Sequence, residues 1–245
     1  MPPLLSIIIP AYNEETRLPI SLNKIITFLE TQPYEYQILI VENGSQDRTF
    51  EIAADFQRRY PFVRAISEER AGKGLAVRRG MLEAQGDYRF IADADLSMPI
   101  EEVSLFLPPV APEYDVAIAS REVHGAERIG EPAYRHWIGR MFNMLVRLIT
   151  LPGIHDTQCG FKCFKSEVVD ELFREQTLDG WTFDVEILYI ARKRGFRIVE
   201  IPIHWYFNPG SRVNILRDSI AMFLDLIRIR LNDLRGIYGS ESVND

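Results

Sequence analysis

Apolar residues recur along the first half of the chain in two alternating rhythms. Residues 4–10 form a nearly continuous apolar run, the pattern of a strand whose two faces are both covered. A helical period follows over residues 15–29, then a second strand-like run at 36–41. The alternation continues with a helix over 49–58, a strand at 63–66, a helix over 75–84 and a strand at 88–92. Strand–helix–strand repetition predicts a parallel α/β sheet with right-handed crossovers. Ligands of such sheets sit beyond the carboxyl ends of the strands, here residues 11–14, 42–47, 70–74 and 93–97. Most of the polar and glycine residues of this half fall in those four stretches.

The second half is less regular. A strand at 116–120 leads into a polar loop, 121–135, and a helix over 136–151 that Pro152-Gly153 stops. Residues 156–164 come next, then a helix over 183–194, a strand at 197–202 and a long terminal helix from about residue 215. No repeat, low-complexity tract or linker interrupts the chain, so one domain is expected over 1–210, with a helical appendage over 211–245.

Composition changes this picture little. The chain has 245 residues, 47% of them apolar and 26% charged, the values of a globular protein. A net charge of −7 weighs against nucleic acid as a partner. Cys159 and Cys163 lack the further ligands a zinc site needs and read as structural thiols. Two thiols and no signal-peptide pattern point to a cytoplasmic setting. No stretch approaches roughly 18 uninterrupted apolar residues, so membrane contact is expected to be peripheral.

The candidate chemistry centres on Asp93-Ala94-Asp95. Two carboxylates one residue apart suit Mg²⁺ or Mn²⁺ when a diphosphate supplies further oxygens. Alone the pair reads more readily as a solvated turn; its place directly after an apolar strand turns the balance towards a site. Tyr12 is placed to stack on a base, Glu42 to meet ribose hydroxyls, and the glycine loop carrying Lys73 to meet phosphate. The plainer alternative at Asn13 and Glu14 is a helix cap and first-turn acid. Capping likewise accounts for Ser45 or Asp47, but not for Glu42.

Taken together, Ile-Ile-Ile-Pro-Ala-Tyr-Asn-Glu (7–14), Val-Glu-Asn-Gly-Ser-Gln-Asp (41–47), Gly-Lys-Gly (72–74) and Asp-Ala-Asp (93–95) resemble the family 2 glycosyltransferases of GT-A fold. Asp-Thr-Gln-Cys-Gly-Phe-Lys (156–162) and Gly-Trp-Thr-Phe-Asp-Val-Glu (180–186) resemble the dolichyl-phosphate glucosyltransferases among them, with the mannosyltransferases nearly as close. The resemblance covers residues 5–210 and implies an inverting displacement at a sugar's anomeric carbon. It places Pro10, Tyr12, Glu14 and Glu42 on the nucleoside, and Asp93 and Asp95 on ribose, diphosphate and metal. Arg121 would reach the phosphates, Asp184 would be the catalytic-site carboxylate, and Asp156 and Gln158 would meet sugar hydroxyls. For Asp156 and Asp184 a helix cap or a satisfied buried carboxylate remains the alternative.

A lipid acceptor is expected on two grounds. Over residues 136–151 the helix gathers Trp137, Met141, Met144, Leu145 and Leu148 on one face, and Arg140, Asn143, Arg147 and Thr150 on the other. Core packing predicts the same period. The loop before it carries Arg121, Arg128 and Arg135, side chains suited to a phosphate head group. The terminal helix has an apolar surface of Leu216, Ile220, Phe223, Ile227, Leu231 and Leu234, and a polar stripe of Asp218, Asp225, Arg228, Asn232 and Arg235. That surface fits three roles: covering the domain, pairing in a homodimer, or lying on lipid.

The expected activity is therefore transfer of glucose from UDP-glucose to a polyprenyl phosphate at the cytoplasmic face of a membrane. Transfer of mannose from GDP-mannose, action on a glycan hydroxyl, and a non-catalytic nucleotide-sugar-binding protein stand as alternatives.

Overall fold

The structure, a computed structural model, describes residues 3–208 and 215–239; the side chains of residues 215–219 lie outside it. Its centre is a seven-stranded sheet in the order β3-β2-β1-β4-β7-β5-β8. The strands are β1 (Leu5–Ala11), β2 (Tyr36–Asn43), β3 (Val63–Glu68), β4 (Tyr88–Ile91), β5 (Val116–Ser120), β7 (Lys162–Lys165) and β8 (Ile198–Pro202). All run parallel except β7, which pairs antiparallel with both β4 and β5. Two short strands, β6 (Glu127–Ile129) and β9 (His204–Tyr206), pair separately.

The strand-like runs became strands because their alternate residues have separate cores to enter. Ile8, Leu39 and Val41 face one cluster, while Ile7, Ile9, Ile38 and Ile40 face the other. On the second side lie α1 (Leu18–Leu29), α2 (Thr49–Arg59) and a 3₁₀ segment, Ile100–Phe106. On the first lie α3 (Lys73–Glu83), α4 (Ala133–Ile149), α5 (Ser166–Arg174), α6 (Phe183–Lys193) and α7 (Ile215–Leu234). Both faces are covered, as the near-continuous apolar strands required.

Several details differ from the sequence reading. Asn13 is not a helix cap. Its backbone sits at φ 52° and α1 begins only at Leu18, with Pro in its first turn. The polar loop 121–135 contains β6, and α4 starts three residues early. Helix α5, directly after β7, was not anticipated. Leu216 and Asp218, named for the terminal helix, have side chains outside the described residues, as do residues 211–214 and 240–245 entirely. The rest of α7 packs into the body: Met222, Leu226, Ile229 and the following Tyr238 belong to the first core cluster.

Candidate active site

The register of the sheet assembles the site. Ala11 pairs with Glu42, and Asn43 with Glu68, so the ends of β1, β2 and β3 are level. The chain leaves these strands into loops that lock together. The Asn13 N–H donates to Ser45 Oγ (2.9 Å), and the Gln46 N–H donates to Asn13 Oδ1 (2.8 Å). The Glu14 N–H donates to Thr49 Oγ1 (2.7 Å). With its amide oriented by its neighbours, Asn43 donates to the Ala11 carbonyl and accepts from the Gly72 N–H.

Within this frame the carboxylates are held, not loose. Glu42 accepts from the Ser45 N–H and, at 3.1 Å, from Ser67 Oγ. Ser45 is not the cap of α2, which begins at Thr49; the Ser45 N–H instead holds Glu42. Glu14 accepts two bonds of 2.6 Å from Arg17, a residue the sequence gave no reason to single out. Pro10 is half-buried at the end of β1, and Tyr12 beyond it is 39% exposed.

Asp93 and Asp95 follow β4. Lys73 Nζ lies 2.6 Å from Asp93 Oδ1 and 5.2 Å from the ring centre of Trp181. Burial opposes the charge on Lys73, but Asp93 and Asp184 outweigh it, and its pKa is raised. Burial first, and the neighbouring Asp93 second, raise the pKa of Asp95. Asp95 accepts from the Ser97 N–H at 3.1 Å across Leu96, whose φ is 45°. A Cβ on Gly160 would stand 1.8 Å from Asp93 Oδ2, so only glycine leaves room for that carboxylate. Likewise a Cβ on Gly74 would stand 2.7 Å from the Leu178 carbonyl oxygen. The glycine loop therefore fits closely against residues 178–180.

A buried pair closes the base of the site. Lys162 Nζ donates to Asp184 Oδ1 (2.7 Å) and to the Cys159 carbonyl, with the lysine side chain 1% exposed. Burial raises the pKa of Asp184, and Lys162 and Lys73 pull it back towards the charged form. The alternative of a satisfied buried carboxylate therefore holds for Asp184 at least in part. A lysine flanked by Phe161, Cys163 and Phe164 was the available sequence signal for Lys162.

Asp156 needs a correction. Its side chain has no exposure, and Arg121 holds it through Nε (2.7 Å), a terminal nitrogen (2.9 Å) and its backbone N–H (3.0 Å). Such a carboxylate fixes Arg121 and is not a ligand for sugar hydroxyls. Gln158, two residues on, is half-buried. Arg121 also stacks over Trp205 at 5.3 Å. Arg128 lies 5.9 Å from the same ring and pairs with Glu122 and Glu131. Arg135 stacks over Phe207 at 5.2 Å. The three arginines of the loop thus gather on two aromatic rings at β9. The Tyr206 N–H ties β9 to the Ser97 carbonyl at 2.7 Å, beside the Asp93–Asp95 turn. Trp205 and Phe207 had no place in the sequence reading.

Cys159 and Cys163 are free and buried, as expected of structural thiols; burial pushes them to about 11 and about 12. No helix among the described residues is long and apolar enough to cross a membrane.

A mostly parallel sheet with an acidic pair after its fourth strand defines a class, the glycosyltransferases of GT-A fold. Comparison with known proteins agrees. Residues 6–173 match the model of Glycosyl transferase family 2. The dolichyl-phosphate beta-glucosyltransferase of Homo sapiens is 33% identical over 252 residues, covering 97% of this chain and 78% of that protein. That of Saccharomyces cerevisiae is 35% identical over 254 residues, covering 96% and 76%. The crystal structure of glucosyl-3-phosphoglycerate synthase from Mycobacterium tuberculosis, in complex with Mn²⁺, uridine diphosphate and phosphoglyceric acid, superposes with a TM-score of 0.67 at 18% identity, covering 98% of this chain and 80% of that one. Mannosyl-3-phosphoglycerate synthase from Rubrobacter xylanophilus gives 0.67 at 19% identity, covering 99% and 77%. These last two likenesses concern the fold. The chain belongs to glycosyl transferase family 2.

Proposed function

We propose that this glycosyltransferase moves glucose from UDP-glucose to a dolichyl-type polyprenyl phosphate, with inversion, at the cytoplasmic face of a membrane. The observation that carries this reading is the 33% identity, over 97% of the chain, to a dolichyl-phosphate beta-glucosyltransferase. The geometry supports it on both the donor and the acceptor side.

On the donor side, Tyr12 offers an exposed ring to the base, with Pro10 beside it. Glu42 keeps acceptor capacity for ribose hydroxyls, since two of its roughly four lone-pair sites are occupied. Glu14, clamped by Arg17, lines the same edge. Asp93 and Asp95 fit a hard divalent cation, Mg²⁺ or Mn²⁺, because their mutual repulsion is relieved by positive charge. Among the described residues no group of three or more His, Cys, Asp or Glu side chains forms a cage, so diphosphate oxygens would complete the ligand set. Such an ion supplies charge neutralisation for the departing diphosphate. Lys73 adds a second positive charge at Asp93, and Gln158 an amide for sugar hydroxyls.

On the acceptor side, Arg121 and Arg128 are matched by carboxylates, whereas Arg135 makes no ion pair among the described residues. Arg135 is therefore assigned to the acceptor phosphate, and Arg121 to the phosphates of the donor. A phosphate monoester is already ionised near neutrality, so Asp184 has no proton to remove. Its task is to orient the reacting groups, with Lys162 keeping it charged and fixed.

Incubating the protein and Mn²⁺ with a short-chain polyprenyl phosphate and either radiolabelled UDP-glucose or GDP-mannose tests this. Label from UDP-glucose should enter the organic phase. Label only from GDP-mannose, or hydrolysis of donor without lipid product, contradicts it.

A further inference from the structure

Helices α4 and α7 pack against each other and send Phe142, Val146, Met222, Leu226 and Ile229 into one core cluster. Their outer stripes are nevertheless strongly apolar. On α4, Trp137 is 68% exposed, Met144 54% and Leu148 75%. On α7, Ile220 is 66% exposed, Leu224 59% and Leu234 81%. Each trio follows the helical period, so each helix shows one outward apolar row. Exposed rows of this size on two adjoining helices ask for a partner.

The charges say which partner. The protein as a whole carries −7, yet α4 contains no Asp or Glu. The described acids of α7 are engaged elsewhere: Asp225 accepts from Thr182, and Asp233 from Tyr189 and Lys193. Arg140, Arg147, Arg228 and Arg235 are exposed and make no ion pair among the described residues. Apolar rows on helices whose described exposed charges are arginines match the acyl–head-group boundary of an anionic leaflet. A second copy of the same face would set arginine against arginine.

We propose that α4 and α7 together form a docking surface for an anionic lipid bilayer. It rests on the acceptor reading only for its purpose, which is to bring Arg135, in the first turn of α4, to the level of lipid phosphates. Apolar burial supplies the attachment, and each surface arginine strengthens partitioning roughly fivefold on anionic lipid.

Flotation of the full chain with vesicles of phosphatidylcholine plus phosphatidylglycerol, against phosphatidylcholine alone, tests the surface. The protein should float with the mixed vesicles and less with the neutral ones, and salt should weaken the difference. The Leu148→Glu/Leu234→Glu variant should float at least about tenfold less. Because both side chains are exposed, it should melt as the parent does and transfer sugar to a short-chain acceptor in solution at the parent rate. A parent that does not float, or a variant that floats equally well, overturns the proposal. So does a parent that sediments as a dimer which the variant splits, since the face would then belong to a second copy. Flotation as expected without transfer to any polyprenyl phosphate upholds the surface and removes the acceptor reading.

Discussion

Lys162 and Asp184 form a pair with almost no access to water, and removing either charge strands the other. In Lys162→Met the loss of the ammonium raises the pKa of Asp184 further. The acid limb of the pH–rate profile should then move to higher pH, with activity falling on the order of tenfold or more near neutrality and partly recovering in alkali. Unchanged pH dependence would show that the charge of Asp184 is not used. Arg121 and Asp156 obey the same logic with the opposite sign. Burial disfavours the Asp156 carboxylate, Arg121 outweighs burial, and the pKa ends below the usual range. The pair's stabilisation is thus complete above the unfolded value of about 4 and fades as pH falls through the lower folded one. Arg121→Met should destabilise the fold by about 3–5 kcal/mol in denaturant titrations. At Gly160 even one methyl group collides with Asp93, so Gly160→Ala should abolish most transfer while leaving the melting curve nearly in place. The positions of Glu42, Asp93 and Asp95 at strand ends, and of Lys73 where its loop enters α3, were legible from sequence. Trp205 and Phe207 were not, because only tertiary packing brings Arg121, Arg128 and Arg135 onto them. Arg17, whose partner Glu14 is three residues away, had a local partner that went unread.

Among the elements, α7 departs most from its pattern. An apolar stripe normally faces a core, yet here Asp225, Asn232 and the nearby Tyr238 turn inward and bind Thr182, Thr177 and Glu186. These bonds steady residues 177–182, the stretch that fits against the Gly74 backbone and carries Trp181. Tyr238→Phe removes one of the bonds to Glu186, a side chain with no exposure. It should cost about 1–3 kcal/mol of stability, measured by thermal or chemical unfolding. The four β-runs of the first half and their helices were readable to within a few residues, since both faces of the central strands demand apolar side chains. Helix α5 was missed because its 9 residues leave the helical period little room to repeat. Strands β6 and β9 have three residues each, too few to display an alternation. The inward polar face of α7 was unreadable because its partners lie some 40 to 55 residues away in sequence.

Over the whole molecule, the level strand ends collect the groups proposed for the nucleoside and metal, and the two-stranded β6–β9 unit collects Arg121, Arg128 and Arg135. Asp93 and Asp95 contribute the only two protein carboxylates proposed for the metal, so chelation should act strongly. EDTA should abolish transfer, and added Mn²⁺ or Mg²⁺ should restore it; full activity in chelator would remove the cation from the scheme. The central claim is that this one edge of the sheet performs an inverting transfer onto phosphate. Its most direct test is the anomeric configuration of the glucosyl lipid formed from UDP-glucose, read by NMR for the parent protein and for Asp95→Ala. A β-linked glucosyl phosphate made by the parent and absent with Asp95→Ala is the predicted result. An α-linked product, or product formed equally well without Asp95, would contradict it.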